Sequence, residues 1–287
     1  MTNRPRVLSD NAFDGEVLHG TYVVSNPADD DAADHEVWRI ADNLRDLTWW
    51  TPLATNAERT LRVVADAAFT PDLLVVDRGH NLGGHTAILE SSDDGFGTVA
   101  SSLSMTVPAA VGGLGTDANG CATPEGAWWK DLTGLSAHTG WQLRIPAMGA
   151  GVAPIIAGLY LGASYRFPVY WDAPGAFDYR QTTAFGKTAR SVGGVEVEWS
   201  PVLYDLLSLR ASRMQPADFT TFLPHVQRLL RYRQPWWVCV DDADAEGCSL
   251  MRLFKQDSGN PEFNPTLNPM LREISLELRS VAPVLYL

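Results

Sequence analysis

Apolar residues in this chain recur mostly with the spacing of β-strands, and one segment alone has the spacing of an α-helix. From Glu273 to Arg279 and from Gly194 to Trp199, apolar residues alternate with polar ones. A period of two is typical of a strand with one buried and one solvent-facing side. The runs Leu73–Val76 and Trp236–Val240 are continuously apolar, which indicates strands buried on both faces. The sequence therefore predicts a mainly β protein.

The helical segment extends from Pro216 to Arg231, where apolar residues recur at spacings of three and four. Pro216 suits the first helical position because it needs no backbone N–H there. Pro224 interrupts the pattern and predicts either a kink or the start of the regular part. One amphipathic helix in a strand-rich chain predicts β-sandwiches with a helix packed against one sheet.

Glycines and prolines between Ala147 and Asp178 interrupt regular structure and suggest a domain boundary. The apolar segment Ile155–Tyr160 within this region can still close the first sandwich. We therefore predict two domains, residues 1–165 and residues 166–287, with helix 216–231 in the second. A chain of 287 residues is long enough for this arrangement.

The charge balance excludes several classes of function. The chain has 34 Asp and Glu residues against 22 Lys and Arg, a formal charge of −12, and no basic stripe for nucleic acid. No uncharged run resembles a transmembrane span of ~20 apolar residues, and the first residues lack the apolar stretch of a signal peptide. The chain has three cysteines, and this odd number does not fit a framework in which every cysteine is paired in a disulfide.

Candidate catalytic and metal-binding patterns are weak. His80 and His85 flank a predicted turn but lack a carboxylate at fixed spacing, so a structural His80 is favoured over a metal site. Asp242, Asp244 and Glu246 start like a calcium loop, but the twelfth position is a leucine, which favours an acidic hairpin tip and leaves a looser calcium site open. We predict no metal, no cofactor and no enzymatic activity. The two catalytic carboxylates of a polysaccharide hydrolase lie close together in space but at no fixed spacing in the sequence. A polysaccharide hydrolase is therefore a minor alternative.

Three adjacent tryptophan pairs are the most distinctive motif: Trp49-Trp50, Trp128-Trp129 and Trp236-Trp237. Neighbours in a strand point to opposite faces, so each pair places one ring in a core and the other outside or between two packed layers. Subunit interface, plain core and sugar-stacking platform are the three alternatives for each pair.

The segment from Asn43 to Phe96 contains a buried strand followed by the turn Gly79-His80-Asn81-Leu82, then a strand and the turn Ser92-Asp93-Asp94-Gly95. With the later strands Trp141–Ile145 and Gly158–Gly162, it resembles the galactose-binding-like (discoidin-type) jelly rolls of tailed-bacteriophage tail proteins. The resemblance implies a turn motif formed by His80, Asn81, Leu82, Asp94 and Gly95.

The second half resembles the β-sandwich-plus-helix of siphophage tail-tube and distal-tail proteins, although the two domains come in the reverse of their usual order. The resemblance implies a structural protein of the virion, assembled in the host cytoplasm, in a ring of its own copies (six is one option) with other tail and baseplate proteins. It also leaves a glycan-binding module for host attachment as the alternative. The candidate interface residues are Trp128, Trp129, Arg228, Arg231, Trp236 and Trp237.

Overall fold

A computed structural model of the chain describes residues 6–14, 22–41, 49–77, 80–108, 114–116, 122–124, 127–167, 177–184, 188–190, 196–198, 202–231, 235–239, 252–256, 262–265 and 272–280. The strands are β1 Arg6–Leu8, β2 Tyr22–Ser25, β3 Arg59–Phe69, β4 Leu73–Val76, β5 Thr86–Ser92, β6 Ser101–Thr106, β7 Leu114–Thr116, β8 Ala122–Pro124, β9 Trp128–Asp131, β10 His138–Ile145, β11 Leu159–Gly162, β12 Ser164–Arg166, β13 Phe177–Ala184, β14 Thr188–Arg190, β15 Glu196–Glu198, β16 Val202–Met214, β17 Trp236–Cys239, β18 Arg252–Gln256, β19 Glu262–Pro265 and β20 Arg272–Ser280. Helix α1 is Pro216–Arg231, and two 3-10 helices are Ala12–Asp14 and Val37–Ala41. None of the helices in these ranges is long and apolar enough to cross a membrane.

The first half forms a β-sandwich of two antiparallel sheets. The five-stranded sheet has the order β2-β3-β10-β5-β6, and the three-stranded sheet has the order β11-β4-β9. The apolar side chains between them, among them Leu143 of β10, Val76 of β4 and Trp128 of β9, form one buried cluster. The mainly β fold class is confirmed.

The second half contributes most of a large sheet of eight strands, with the order β12-β1-β17-β18-β20-β16-β13 and β19 paired to β20. Helix α1 packs on this sheet through Phe222, Val226 and Leu229, against Trp236 and Leu278 among others. These three are the residues that the helical spacing places on one face, so the predicted amphipathic helix is confirmed. It continues through Pro224, which lies on the exposed side, because the packed face holds the helix despite the missing hydrogen bond.

The three-stranded sheet is the middle layer of the molecule. One face, including Leu74 and Val76, packs on the five-stranded sheet, and the other face packs on β1 and β17 of the large sheet. All four residues of β4 are buried, as the continuous apolar run predicts. The layers are thus five-stranded sheet, three-stranded sheet, eight-stranded sheet and helix.

Two of the tryptophan pairs connect these layers. Trp128 packs in the cluster between the first two sheets, whereas Trp129 packs in the cluster between the middle sheet and the large sheet. Trp236 faces helix α1 while Trp237 faces the middle sheet, where its ring meets Tyr160 edge-on at 5.4 Å. The strand rule that neighbours point to opposite faces therefore holds, with a packed layer on each side.

The predicted subunit interface is contradicted for five of its six residues. Trp128, Trp129, Trp236 and Trp237 are at most 1% exposed, and Arg228 is 6% exposed. Their side chains therefore belong to the interior of the single chain, and core packing replaces the predicted interface for them. The Arg231 side chain lies outside the described part of the chain, as does the predicted acidic hairpin tip at residues 241–250.

The N-terminal segment ties the layers together. Strand β1 pairs with β12 on one side and β17 on the other, so the large sheet contains strands from both predicted domains. Beyond β1, the side chain of Asn11 donates to the carbonyl of Leu159 and accepts from the backbone N–H of Leu161, both on edge strand β11. The predicted boundary at residues 165 and 166 falls inside β12, which belongs to this shared sheet.

Candidate functional site

Several long loops meet at one end of the sandwich. Residues 26–41, 49–58 and 146–158 lie at this end, where β2 and β10 end and β3 and β11 begin, as do residues 80–82 after β4. Backbone hydrogen bonds join these loops: Trp50 and Ile156 bond to each other in both directions, and the N–H of Asn56 donates to the carbonyl of Val152. We call this end of the sandwich the loop face.

Two tryptophans are exposed on the loop face. Trp38 is 55% exposed and Trp49 is 36% exposed, while the other six described tryptophans are at most 1% exposed. Large aromatic side chains are usually highly buried, so an exposed ring is informative. Trp49 therefore differs from its neighbour Trp50, which is fully buried.

Each exposed ring is held by a neighbouring side chain. The ring of His35 stacks on Trp49 with centroids 4.4 Å apart, and His35 Nδ1 lies 3.1 Å from the carbonyl oxygen of Trp49. The guanidinium of Arg39 lies 4.8 Å from the centre of the Trp38 ring, and Arg39 Nε donates to Glu36 at 2.7 Å. These contacts limit the movement of the two exposed indoles.

Asp31 organises the segment that carries both rings. Its carboxylate accepts hydrogen bonds from the indole Nε1 of buried Trp50 at 2.7 Å, from the side chain of Asn26 at 2.8 Å, and from the backbone N–H of Val37 at 2.8 Å. The last bond lies at the start of the 3-10 helix that carries Trp38, where an unpaired N–H needs an acceptor. Asp30 pairs with Arg59 at the start of β3. Asp30 and Asp31 thus hold this loop in place through hydrogen bonds and an ion pair.

The predicted turn of His80, Asn81 and Leu82 supports the loop face from below. Asn81 donates to the carbonyl of Ala153 and accepts from the N–H of Ile155, both at 2.8 Å, and so holds the loop that pairs with Trp50. His80 Nδ1 accepts from the N–H of Leu82. Because His80 is buried, the pKa of its ring falls from 6.5 to about 4. The structural interpretation of His80 is favoured by this geometry.

The buried histidines predict a loss of stability in mild acid. Burial lowers the pKa of His80 and of His225 to about 4, and the charge of Arg228 adds to the effect at His225. Below pH 6.5 the unfolded chain binds protons at these sites while the folded chain does not, so stability is full above pH 6.5 and falls as the pH approaches 4. Each histidine contributes a slope of at most about 1.4 kcal/mol per pH unit.

Urea unfolding across this pH range measures the slope. His80→Asn is expected to remove one histidine's share of the slope. An unaltered slope in His80→Asn contradicts the assignment.

Asp94 and Gly95, the other part of the predicted turn motif, lie at the opposite end of the sandwich. Asp94 accepts from the backbone N–H and side chain of Thr98 and from Ser92 Oγ, and these bonds lower its pKa to about 2. Gly95 has φ +70°, which glycine adopts without strain. The turn brings Phe96 over the five-stranded sheet. The structure therefore does not bring Asp94 and Gly95 together with His80, Asn81 and Leu82.

Two carboxylates near the loop face are held by one arginine. Arg144 binds Glu58 at 3.0 Å and Glu90 at 2.7 Å. Burial acts to raise the pKa of Glu90, but hydrogen bonds from Arg144 and Gln142 outweigh it and keep the pKa below its usual value. A general acid of a glycosidase needs a raised pKa, so Glu90 has the wrong electrostatics for that role. In the described ranges, no three His, Cys, Asp or Glu side chains converge as metal ligands.

Comparisons with known proteins give partial likenesses. No protein-family model and no curated protein matches this chain. Among solved structures, the family 32 CBM of Clostridium perfringens NanJ, in complex with galactose, has a TM-score of 0.34 and 11% identity, covering 49% of this chain and 92% of its own. Chitosan-binding module 1 from a chitosanase/glucanase of Paenibacillus sp. IK-5 has a TM-score of 0.36 and 13% identity, covering 53% and 97%. A Ruminococcus gnavus GH29 fucosidase has a TM-score of 0.39 and 10% identity, covering 55% and 27%.

None of these three proteins is a phage tail protein, and the predicted tail assembly has no support from the comparisons.

Proposed function

We propose that this protein binds carbohydrate through the loop face, with Trp38 and Trp49 as its stacking surfaces. The observation that carries the proposal is the exposure of these two rings, since the other six tryptophans of the described residues are buried. An indole offers a flat apolar surface with a polar N–H at its edge, which suits a sugar ring with an apolar face and hydroxyls at its rim.

The surroundings of the two rings favour a saccharide over a protein partner. The segments 26–41 and 49–58 contain six carboxylates, Asp29, Asp30, Asp31, Asp34, Glu36 and Glu58. The cores of protein–protein interfaces are depleted in Asp and Glu, because each charge has to be stripped of water. Sugar hydroxyls, in contrast, donate hydrogen bonds to carboxylates while both remain near water.

A glycan array probed with the full chain tests the proposal. We expect hits, and we expect Trp49→Ala and Trp38→Ala each to weaken the best hit at least about tenfold, the scale of a stacked aromatic contact. Because Trp49 is only 36% exposed and stacks on His35, Trp49→Ala also removes buried apolar surface, so urea unfolding of both variants is measured beside their binding.

Val99→Ala is the matched control. Val99 is 46% exposed at the opposite end of the sandwich, so this variant also loses an exposed apolar side chain but binds normally. An array without hits, or unchanged affinity in both tryptophan variants, overturns the proposal. Placement in a phage tail, the predicted ring and the absence of catalysis stay predictions.

A further inference from the structure

The two exposed indoles of the loop face are anchored to the same carboxylate. Asp31 accepts a hydrogen bond at 2.8 Å from the backbone N–H of Val37, the residue before Trp38. It also accepts one at 2.7 Å from the indole of Trp50, the residue after Trp49. Each exposed tryptophan is therefore next in the chain to a residue that contacts Asp31, which places the two on one small part of the loop face.

His35 gives a second connection between the two rings. Its imidazole stacks on Trp49 with ring centroids 4.4 Å apart. His35 precedes Trp38 by three residues, so the Cα atoms of these two residues are at most about 11 Å apart. A ligand a few sugar units long is therefore able to reach from one indole to the other.

Each indole has one ring face already covered by the protein. The imidazole of His35 covers one face of Trp49. The guanidinium of Arg39 lies 4.8 Å from the centre of the Trp38 ring and covers one face of that ring. Because stacking needs a free aromatic face, each indole offers a place for at most one sugar ring.

Exposed apolar surface continues beyond the two rings. Five large hydrophobic residues are exposed in the part of the chain that the structure describes, and four of them lie on the loop face: Trp38, Trp49, Leu53 and Val152. Leu53 is 69% exposed and lies four residues after Trp49, in a segment that Trp50 and Pro52 pair to its neighbours. Four residues of extended chain cover about 13 Å. The apolar surface is therefore longer than a single sugar ring.

Resting on the proposed function, we infer that the loop face binds one saccharide chain through at least two of its sugar units, one stacked on each indole. Stacking of the first unit makes the contact with the second indole intramolecular, so the chain gains affinity without a second loss of translational freedom. A monosaccharide contacts one indole at a time and has no such gain. The ligand class is therefore an oligosaccharide or polysaccharide chain rather than a single terminal sugar.

Calorimetric titration with two length series tests the inference. One series contains fragments of one to four units of the strongest array hit, and the other contains glucose and its β-1,4-linked oligomers of the same lengths. In a series that binds, we expect the affinity to rise at least about tenfold from one unit to four, the scale of one stacked aromatic contact. Such a gain exceeds the statistical effect of alternative registers of the chain.

Trp38→Ala and Trp49→Ala should each remove most of this gain, because each variant keeps a single exposed indole. Each should weaken binding of the four-unit fragment about tenfold but binding of the monosaccharide only about twofold, since the monosaccharide can still use the other indole. Val99→Ala, at the opposite end of the sandwich, is the control and should keep the full length dependence.

Equal affinity for the one-unit and four-unit fragments overturns the inference and leaves the proposed function standing. The same holds if only one of the two tryptophan variants loses the length dependence. An array without hits, together with no binding by the glucose series, overturns both. Phosphatidylcholine vesicles that bind more tightly than any fragment, with this binding lost in both tryptophan variants, overturn the saccharide in favour of a lipid surface.

Discussion

Gly162→Ala is expected to lower the free energy of unfolding by about 3 kcal/mol, the upper end of the usual cost of overpacking. Gly162 is buried at the end of β11, where an added Cβ would overlap the carbonyl oxygen of Asp10 and lie 2.8 Å from its carbonyl carbon. The obstacle is backbone, so no side chain can rotate away. The N-terminal segment would have to move off β11, and Asn11 would lose its bonds to Leu159 and Leu161.

Gly140→Ala is the matched control for this experiment. A Cβ at Gly140 meets mainly the ring of Phe96, at 2.9 Å, on a loop side chain that can move. We therefore expect this variant to lose only about 1 kcal/mol. Urea unfolding measures both variants, and equal losses would contradict the role assigned to the N-terminal segment.

Arg228→Met is expected to cost about 4 kcal/mol of folding stability. Arg228 Nη1 lies 3.3 Å from Asp10 Oδ1, and both side chains are at most 7% exposed. Removing the arginine takes one counter-charge away from a buried carboxylate, which is more costly than losing both charges of the pair together. The methionine side chain still fills most of the space taken by the apolar part of the Arg228 side chain.

The double variant Asp10→Asn/Arg228→Met distinguishes this cause from lost packing. It removes the buried negative charge together with the arginine, so it is expected to be more stable than Arg228→Met alone. A double variant no more stable than the single one would show that the arginine acts through packing rather than through the ion pair.

Local periodicity predicted the elements of this fold well. Helix α1 has the predicted bounds, Pro216–Arg231, because its apolar spacing reports directly on its buried face. The run Leu73–Val76 indicated a strand buried on both faces, and β4 is one. Periodicity does not show which layer covers each face of a strand. Strands that pair across more than a hundred residues have no characteristic spacing in the sequence. Strand β1, which pairs with β17, is the main example.

The candidate site was harder to predict for the same reason. Trp38 lies between Val37 and Arg39 in a short segment whose pattern indicates neither burial nor exposure, and it belongs to no tryptophan pair. The tryptophan pairs predicted roles for Trp128 and Trp236, which are core residues. The resemblance to a known turn predicted a role for Asn81, which positions the loop face without being exposed on it. One signal was available: the run of aspartates around residue 30 marks the segment that carries Trp38.

The middle sheet determines how the molecule can come apart. Residues such as Leu73, Val75 and Trp129 face the large sheet, so a fragment that ended after the sandwich would present their apolar surface to water. Unfolding of either half would expose apolar surface of the other, so we expect the two halves to unfold together in one transition. The loop face lies at the end of the sandwich, away from this shared core, so substitutions on it can change ligand preference while the rest of the molecule continues to fold.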